Sequence, residues 1–147
     1  MTTDSIERDI VIAAAPERVW AIVTRAEHLG AWFADAGATI DLRPGGELTL
    51  TWKEYGVSRG VVETVQPHTT FAFRWALDDG APGDGNSTRV VFTLTPDGDG
   101  TRLRVVESGF DELAGGAERQ ATHVEQNTEG WRLELDELRA YAESNPA

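Results

Sequence analysis

The residues best suited to chemistry lie in the last third of the chain: Glu107, His123, Asn127 and Trp131. Glu107 shares strand parity with Leu103 and Val105, so an alternating strand turns all three to the same side. A carboxylate carried inward there would stand among apolar side chains, where lost hydration disfavours charge and suits it to act as acid, base or ligand anchor. Two plainer accounts compete. A bulge near Val106 would turn Glu107 outward, and a buried Arg8 would neutralise it. His123 and Asn127 lie one helical turn apart, beside a stripe that carries Val124 and Trp131, and could reach a ligand from the helix side. The plainer account for this pair is a solvated face near a frayed helix start.

A second set is aromatic. Trp52, Phe71, Phe73, Trp75 and Trp131 either line a ligand pocket or fill the core. The other candidates carry less. His28 and His68 sit at a helix and a turn, read as structural or exposed, and the three histidines have no metal-ligand spacing. Asp97 and Asp99 among glycines make a hairpin turn, since no carboxylate completes a calcium loop. Ser58, Ser87 and Ser108 lack the context of a nucleophile elbow. Gly45-Gly46 is too short to cradle a phosphate. With no cysteine there is no thiolate, disulfide or cysteine-bound metal. No catalytic set, metal site or cofactor is expected.

The elements that must position these residues follow from periodicity. Residues 5–14 alternate as a strand. Pro16, lacking only a donor that a first helical turn leaves unpaired, opens a helix over 16–25, and 27–33 forms a second. Strands are expected over 38–43, 48–53, 58–65, 70–77, 88–95 and 101–108, with turns at Pro44–Glu47, Tyr55-Gly56, Gln66–His68 and Pro96–Gly100. Residues 78–86 form a polar Gly/Pro/Asp loop expected to be mobile. From about 117 to 143 the period becomes helical, with Ala121, Val124, Thr128, Trp131, Leu135, Leu138 and Ala142 on one stripe. Pro146 follows this helix. An antiparallel sheet of this extent must cover one face. The C-terminal helix is the only element large enough, so the face bearing Trp52, Phe71, Phe73, Trp75, Phe92, Leu94, Leu103 and Val105 should meet the stripe carrying Trp131.

The chain has 147 residues, 40% of them hydrophobic and 26% charged, which suits one domain over residues 1–147 with its own core. No signal segment or long apolar run is evident, and a cytoplasmic location is expected. The net charge of −12 repels phosphates and anionic headgroups, so neither nucleic acid nor membrane is an expected partner.

Several short motifs occur in a recognisable order: Ala15-Pro16-Glu17-Arg18-Val19-Trp20, His28-Leu29 with Trp32-Phe33, Gly45-Gly46, Gly60-Val61-Val62 with Pro67, Phe73-Arg74-Trp75, Gly100-Thr101-Arg102-Leu103, Glu107-Ser108-Gly109-Phe110 and Gly130-Trp131. This set resembles the START-like helix-grip superfamily, also called SRPBCC. Within it, the chain is similar to the branch of homologues of the activator of the heat-shock-protein-90 ATPase. The abundance of Ala, Gly, Asp and Arg with a single Lys separately suggests a bacterial source. The resemblance implies an α+β fold, a curved antiparallel sheet of six to seven strands around a long C-terminal helix, with two short helices after the first strand. It also implies a cavity between sheet and helix that binds something apolar. It transfers no catalytic residue, because the fold hosts carriers, receptors, cyclases and chaperone regulators alike. The chaperone activator has an additional N-terminal domain, whereas only a few polar residues precede Ile6 here.

Together these observations lead to a small cytoplasmic protein that binds a hydrophobic or aromatic small molecule, with Trp52, Phe73, Trp75, Glu107, His123, Asn127 and Trp131 around it. The alternatives are a cyclase- or hydrolase-like enzyme using Glu107 with His123, and a protein-interaction or stress-response module. An open pocket, an open pocket with Glu107 close to His123, and a closed dry core respectively distinguish the three.

Overall fold

The computed structural model describes residues 5–144. Pro146, expected to follow the last helix, lies outside the described residues. Strand β1 (Ser5–Ile12) leads into helices α1 (Pro16–Thr24) and α2 (Ala26–Trp32). Six strands follow: β2 (Ala38–Ile40), β3 (Glu47–Trp52), β4 (Gly56–Gln66), β5 (Thr70–Ala76), β6 (Ser87–Asp97) and β7 (Gly100–Ser108). A short 3-10 turn (Phe110–Glu112) precedes the long helix α3 (Gly116–Ser144). The fold is α+β: one curved antiparallel seven-stranded sheet in the order β1-β7-β6-β5-β4-β3-β2, gripping α3.

The local reasons are those the sequence announces. Pro16 stands at the start of α1, whose N-cap Ala15 is extended and offers no side-chain cap, so the proline's fixed φ initiates the helix. Val19, Trp20, Ile22 and Val23 turn inward from it. The Trp32 indole N–H donates to the Ile22 carbonyl at 2.8 Å, which ties α2 to α1. Gly46 closes the turn into β3: a Cβ there would lie 1.9 Å from the Asp41 carbonyl oxygen, so no other residue fits without moving the backbone. The hairpin between β6 and β7 pairs Asp97 with Gly100 across a two-residue tip, tighter than the five-residue turn expected. Pro96 thus belongs to the strand end, and β2 ends at Ile40 rather than at residue 43.

Period-two alternation places Ile6 and Ile12 of β1, Leu103 and Val105 of β7, Val90, Phe92 and Leu94 of β6 and Phe71, Phe73 and Trp75 of β5 in the core. The one register irregularity falls in β4 between Val62 and Thr64. Strand β7 runs unbroken from Gly100 to Ser108 against both neighbours, so the bulge considered near Val106 does not form. The helical stripe is buried only in its second half, at Trp131, Leu135, Leu138 and Ala142. Ala121 is exposed, and Val124 and Thr128 are half-buried. This corrects the expectation of one continuous buried stripe. The first turns of α3 border a groove shared with the β5–β6 loop.

Candidate functional site

Glu107 is the centre of the interior. It faces Val90 across β6 and Ile6 across β1, and it is 0% exposed. Four neutral side chains donate to its carboxylate. The Trp75 indole reaches Oε2 at 2.9 Å and the Thr88 hydroxyl reaches the same oxygen at 2.5 Å. The Trp131 indole reaches Oε1 at 2.9 Å. The Asn127 amide Nδ2 spans both oxygens at 3.0 Å. A carboxylate offers roughly four lone-pair directions, so four donors fill it. Arg8 is exposed and takes no part, which removes the neutralising account raised above. Strands β5, β6 and β7 and helix α3 each contribute to this hub, which fixes their relative positions.

The indole faces beside the hub are also occupied. Phe33, the C-cap of α2, inserts its ring between sheet and helix. It stacks on Trp75 at 5.9 Å between centroids and 21° between planes, and on Trp131 at 5.7 Å and 19°. Trp32 stacks on it at 4.7 Å, and Trp52 meets it edge-on at 5.0 Å. These separations lie in the favourable range for offset-stacked and T-shaped rings. Phe73 extends the cluster, edge-on to Trp75 at 5.5 Å. Backbone bonds hold Phe33 in place: its N–H and that of Ala34 both donate to the Leu29 carbonyl, and Ala36 N–H donates to Thr51 of β3. The aromatic space deduced from the sequence is therefore filled by this chain's own ring.

An open groove of about 360 Å3 lies at the start of α3, lined by Leu77, Asp78, Asn86, Leu113, Arg119 and His123 among others. The β5–β6 loop that forms its wall is organised around Asn86. That side chain donates to Asp78 and the Ala81 carbonyl and accepts from Gly83 N–H. Ala114 N–H donates to the Gly85 carbonyl, pinning the loop to the approach to α3. His123 borders the groove, and Asn127, one turn further, touches Glu107. Partial burial, aided by the nearby Arg119 charge and opposed by Glu107, holds the His123 imidazole below its ordinary pKa. Among the described residues His123 makes no hydrogen bond to Glu107.

The residues expected at the site thus divide. Glu107, Asn127, Trp75 and Trp131 converge on one hub, and Phe73 packs beside it. Trp52 is half-buried at the edge of the cluster, its indole donating to Ser58 at 2.9 Å. His123 belongs to the groove. Of the other histidines, His28 shares a hydrogen bond with the Tyr141 hydroxyl at 2.7 Å, and His68 is exposed in a turn. Two residues were missed. Thr88 has the inward parity of Val90 and Phe92, and a hydroxyl at such a position needs a partner, so strand parity could have found it. Phe33 was read only as part of the Trp32-Phe33 motif, and its insertion against Trp75 and Trp131 was not, because the direction of a side chain at a helix end depends on the cap geometry. Among the described residues no cluster of three or more His, Asp or Glu could hold a metal ion. No helix among them is long and apolar enough to cross a membrane.

Comparison with known proteins agrees with this fold. Residues 13–143 match the family described as Activator of Hsp90 ATPase homolog 1-like protein. Among curated proteins no sequence matches this chain. A solved structure from Mesorhizobium loti, protein MLL2253, superposes with a TM-score of 0.76 at 23% identity, covering 92% of this chain and 94% of that one. DynU16, described as a putative protein in the dynemicin biosynthetic locus, has a TM-score of 0.75 at 25% identity. It covers 98% of this chain, which spans 49% of DynU16. The Aha1 dimer from Colwellia psychrerythraea has a TM-score of 0.73 at 19% identity, covering 93% and 94%.

Proposed function

The chain belongs to the family of Activator of Hsp90 ATPase homolog 1-like proteins, and on that premise we propose that it binds a flat apolar or aromatic small molecule between the sheet and α3, with Phe33 keeping the ligand's place when none is bound. The observation that carries this reading is the stack of Phe33 on Trp75 and Trp131. A phenyl ring delivered by a helix end packs beside the two indoles, which also stack on each other at 5.9 Å. Once Phe33 swings aside, a flat ligand in its place meets the same two indoles and gains the same stacking. Displacing Phe33 subtracts from affinity, since only the fraction of molecules with Phe33 aside can bind. The groove at the start of α3 borders His123, one helical turn before the Asn127 that touches Glu107, and offers an approach. The likeness to DynU16, described from a biosynthetic locus, is consistent with a small-molecule role.

Catalysis by Glu107 and His123 draws less support, since both carboxylate oxygens are engaged and His123 stands apart. The interaction-module reading has one observation in its favour, the filled interior. A titration separates these. Fatty acids, flavonoids and aromatic polyketides are added while tryptophan fluorescence and amide chemical shifts are followed. Shifts confined to the surroundings of Phe33, Trp75, Glu107 and Trp131 are expected with a flat aromatic compound. If no compound perturbs that region, the ligand reading is wrong and the interaction module takes its place.

A further inference from the structure

We propose that the groove between the β5–β6 loop and the start of α3 is a binding site in its own right, for a small zwitterion of amino-acid to dipeptide size. It is separate from the aromatic interior and does not depend on a ligand entering there. The groove is open and measures about 360 Å3, the scale of a small-molecule site. Leu77 and Leu113 give it apolar lining, Asp78 and Asp84 give it negative charge, and Arg119 and His123 give it nitrogen donors.

Both sides are formed by the chain's own contacts, so a ligand meets them already in place. On the loop side Asn86 donates to Asp78 and to the Ala81 carbonyl. The Ser87 hydroxyl donates to the Gly83 carbonyl at 2.7 Å, and the Leu77 N–H donates to the Asn86 carbonyl at 2.8 Å. On the helix side the Gln120 amide donates to the carbonyls of Asp111 and Leu113, which fixes the first turn of α3. Packing sets Arg119. Its stem lies over the bare Cα of Gly115, where a Cβ would stand 2.4 Å from Arg119 Cδ.

The charges are placed but left apart. Arg74, Arg89, Arg102, Arg104 and Arg132 each sit against a carboxylate. Among the described residues Arg119 pairs with none, although Asp78 and Asp84 line the same groove. Asp78 uses one oxygen, Oδ1, to accept from Gly80 N–H and Asn86. The Asp84 carboxylate and the His123 ring take no hydrogen bond among the described residues. A lone anion drawn to Arg119 would also meet the field of two carboxylates, and a lone cation drawn to them would meet Arg119. A molecule carrying both charges satisfies both sides, and each half of the set rejects a ligand that lacks the matching end. The planar guanidinium of Arg119 takes a carboxylate through two parallel N–H donors. His123, one helical turn along, is a neighbour of Arg119 on the same face and adds a ring N–H.

Leucyl-leucine and its two capped forms test this on the whole protein at pH 7, followed by amide and imidazole chemical shifts. N-acetyl-leucyl-leucine keeps only the carboxylate, and leucyl-leucine amide keeps only the ammonium. We expect leucyl-leucine to shift residues 77–86 and 113–123, with a dissociation constant on the order of 1 mM or tighter. Each cap should weaken binding about fivefold, the scale of one partly exposed ion pair. A bound carboxylate favours the charged imidazole. The pKa of His123, held down by burial and Arg119 and raised by Glu107, should therefore rise with leucyl-leucine and not with the amide. Arg119 and Asp84 are exposed, so their variants should fold. Arg119→Ala should bring leucyl-leucine down to the affinity of its amide, and Asp84→Asn should bring it down to that of the acetylated form. If either capped form binds as tightly as leucyl-leucine, selection for a zwitterion is wrong. If none of the three shifts the groove at 10-fold that concentration, or if shifts fall only around Phe33, Trp75 and Trp131, the groove is not a site. The second of those results would leave the interior ligand reading intact.

Discussion

The two halves of α3 share one helix and little else. From Trp131 onward the helix is anchored: Trp131, Leu135, Leu138 and Ala142 are buried, Tyr141 bonds His28, and Glu143 accepts from the Ala13 backbone N–H. Before Asn127 it is bordered by a groove, and its side chains are exposed or half-buried. Glu107 sits at the boundary, holding Trp131 from the anchored half and Asn127 from the end of the exposed one. One continuous helix can thus serve as rigid clamp and accessible rim, with the change of role placed where a polar hub meets it.

The comparison is broken most severely at Trp131. Replacing it with alanine removes a large buried ring and one of the donors on Glu107, and should cost about 3–5 kcal/mol in urea denaturation. A loss below about 1 kcal/mol would mean the anchored half does not depend on this side chain. Asn127→Ala, at the boundary, should cost about 1–2 kcal/mol, the scale for one hydrogen bond to a carboxylate whose other donors stay in place.

A smaller effect of opposite sign is expected at Glu134, within the anchored half. Burial, with the charges of Glu137 on the same helix and Asp35 on the turn after α2, pushes its carboxyl up to about 7. One of its oxygens is buried without a partner. The folded state holds this proton more tightly than the unfolded chain does. Its contribution is therefore full below about pH 4.5 and is lost as pH rises toward 7. Glu134→Gln should match the parent protein at acid pH and exceed it at pH 8 by about 1 kcal/mol, allowing for solvent screening of a half-exposed group. Thermal unfolding across that range reads the divergence, and parallel curves would refute it. Smallest of all, Arg119→Ala and His123→Ala in the rim should change stability by less than about 0.5 kcal/mol. A larger loss at either would show the groove to be part of the clamp.

Much of this was legible beforehand because period and chemistry coincide. Ile6, Ile12, Phe71, Phe73, Phe92 and Leu103 were readable as inward from alternation alone, and Pro16 marked its helix. Glu107 was readable as inward for the same reason, but not as a hub, since a donor count needs four elements brought together. The helical stripe was over-extended to Ala121 because periodicity reports which face is apolar and not how far the opposing sheet reaches. Phe33 was legible as part of a motif but its placement was not: its ring direction is set by a helix cap and by backbone bonds to β3, neither of which leaves a repeat in the sequence.

The hub also has a consequence for how the chain is made. Synthesis runs from N- to C-terminus, so all seven strands leave the ribosome before Asn127 and Trp131 do. Until α3 follows, Glu107 has only Trp75 and Thr88 from the sheet, and the inner faces of Phe73, Phe92 and Val105 lack their cover. At a usual elongation rate of about 5–20 residues per second, that interval lasts on the order of seconds. During it the nascent sheet is an adhesive surface, and the arrival of one helix both seals it and completes the acceptor.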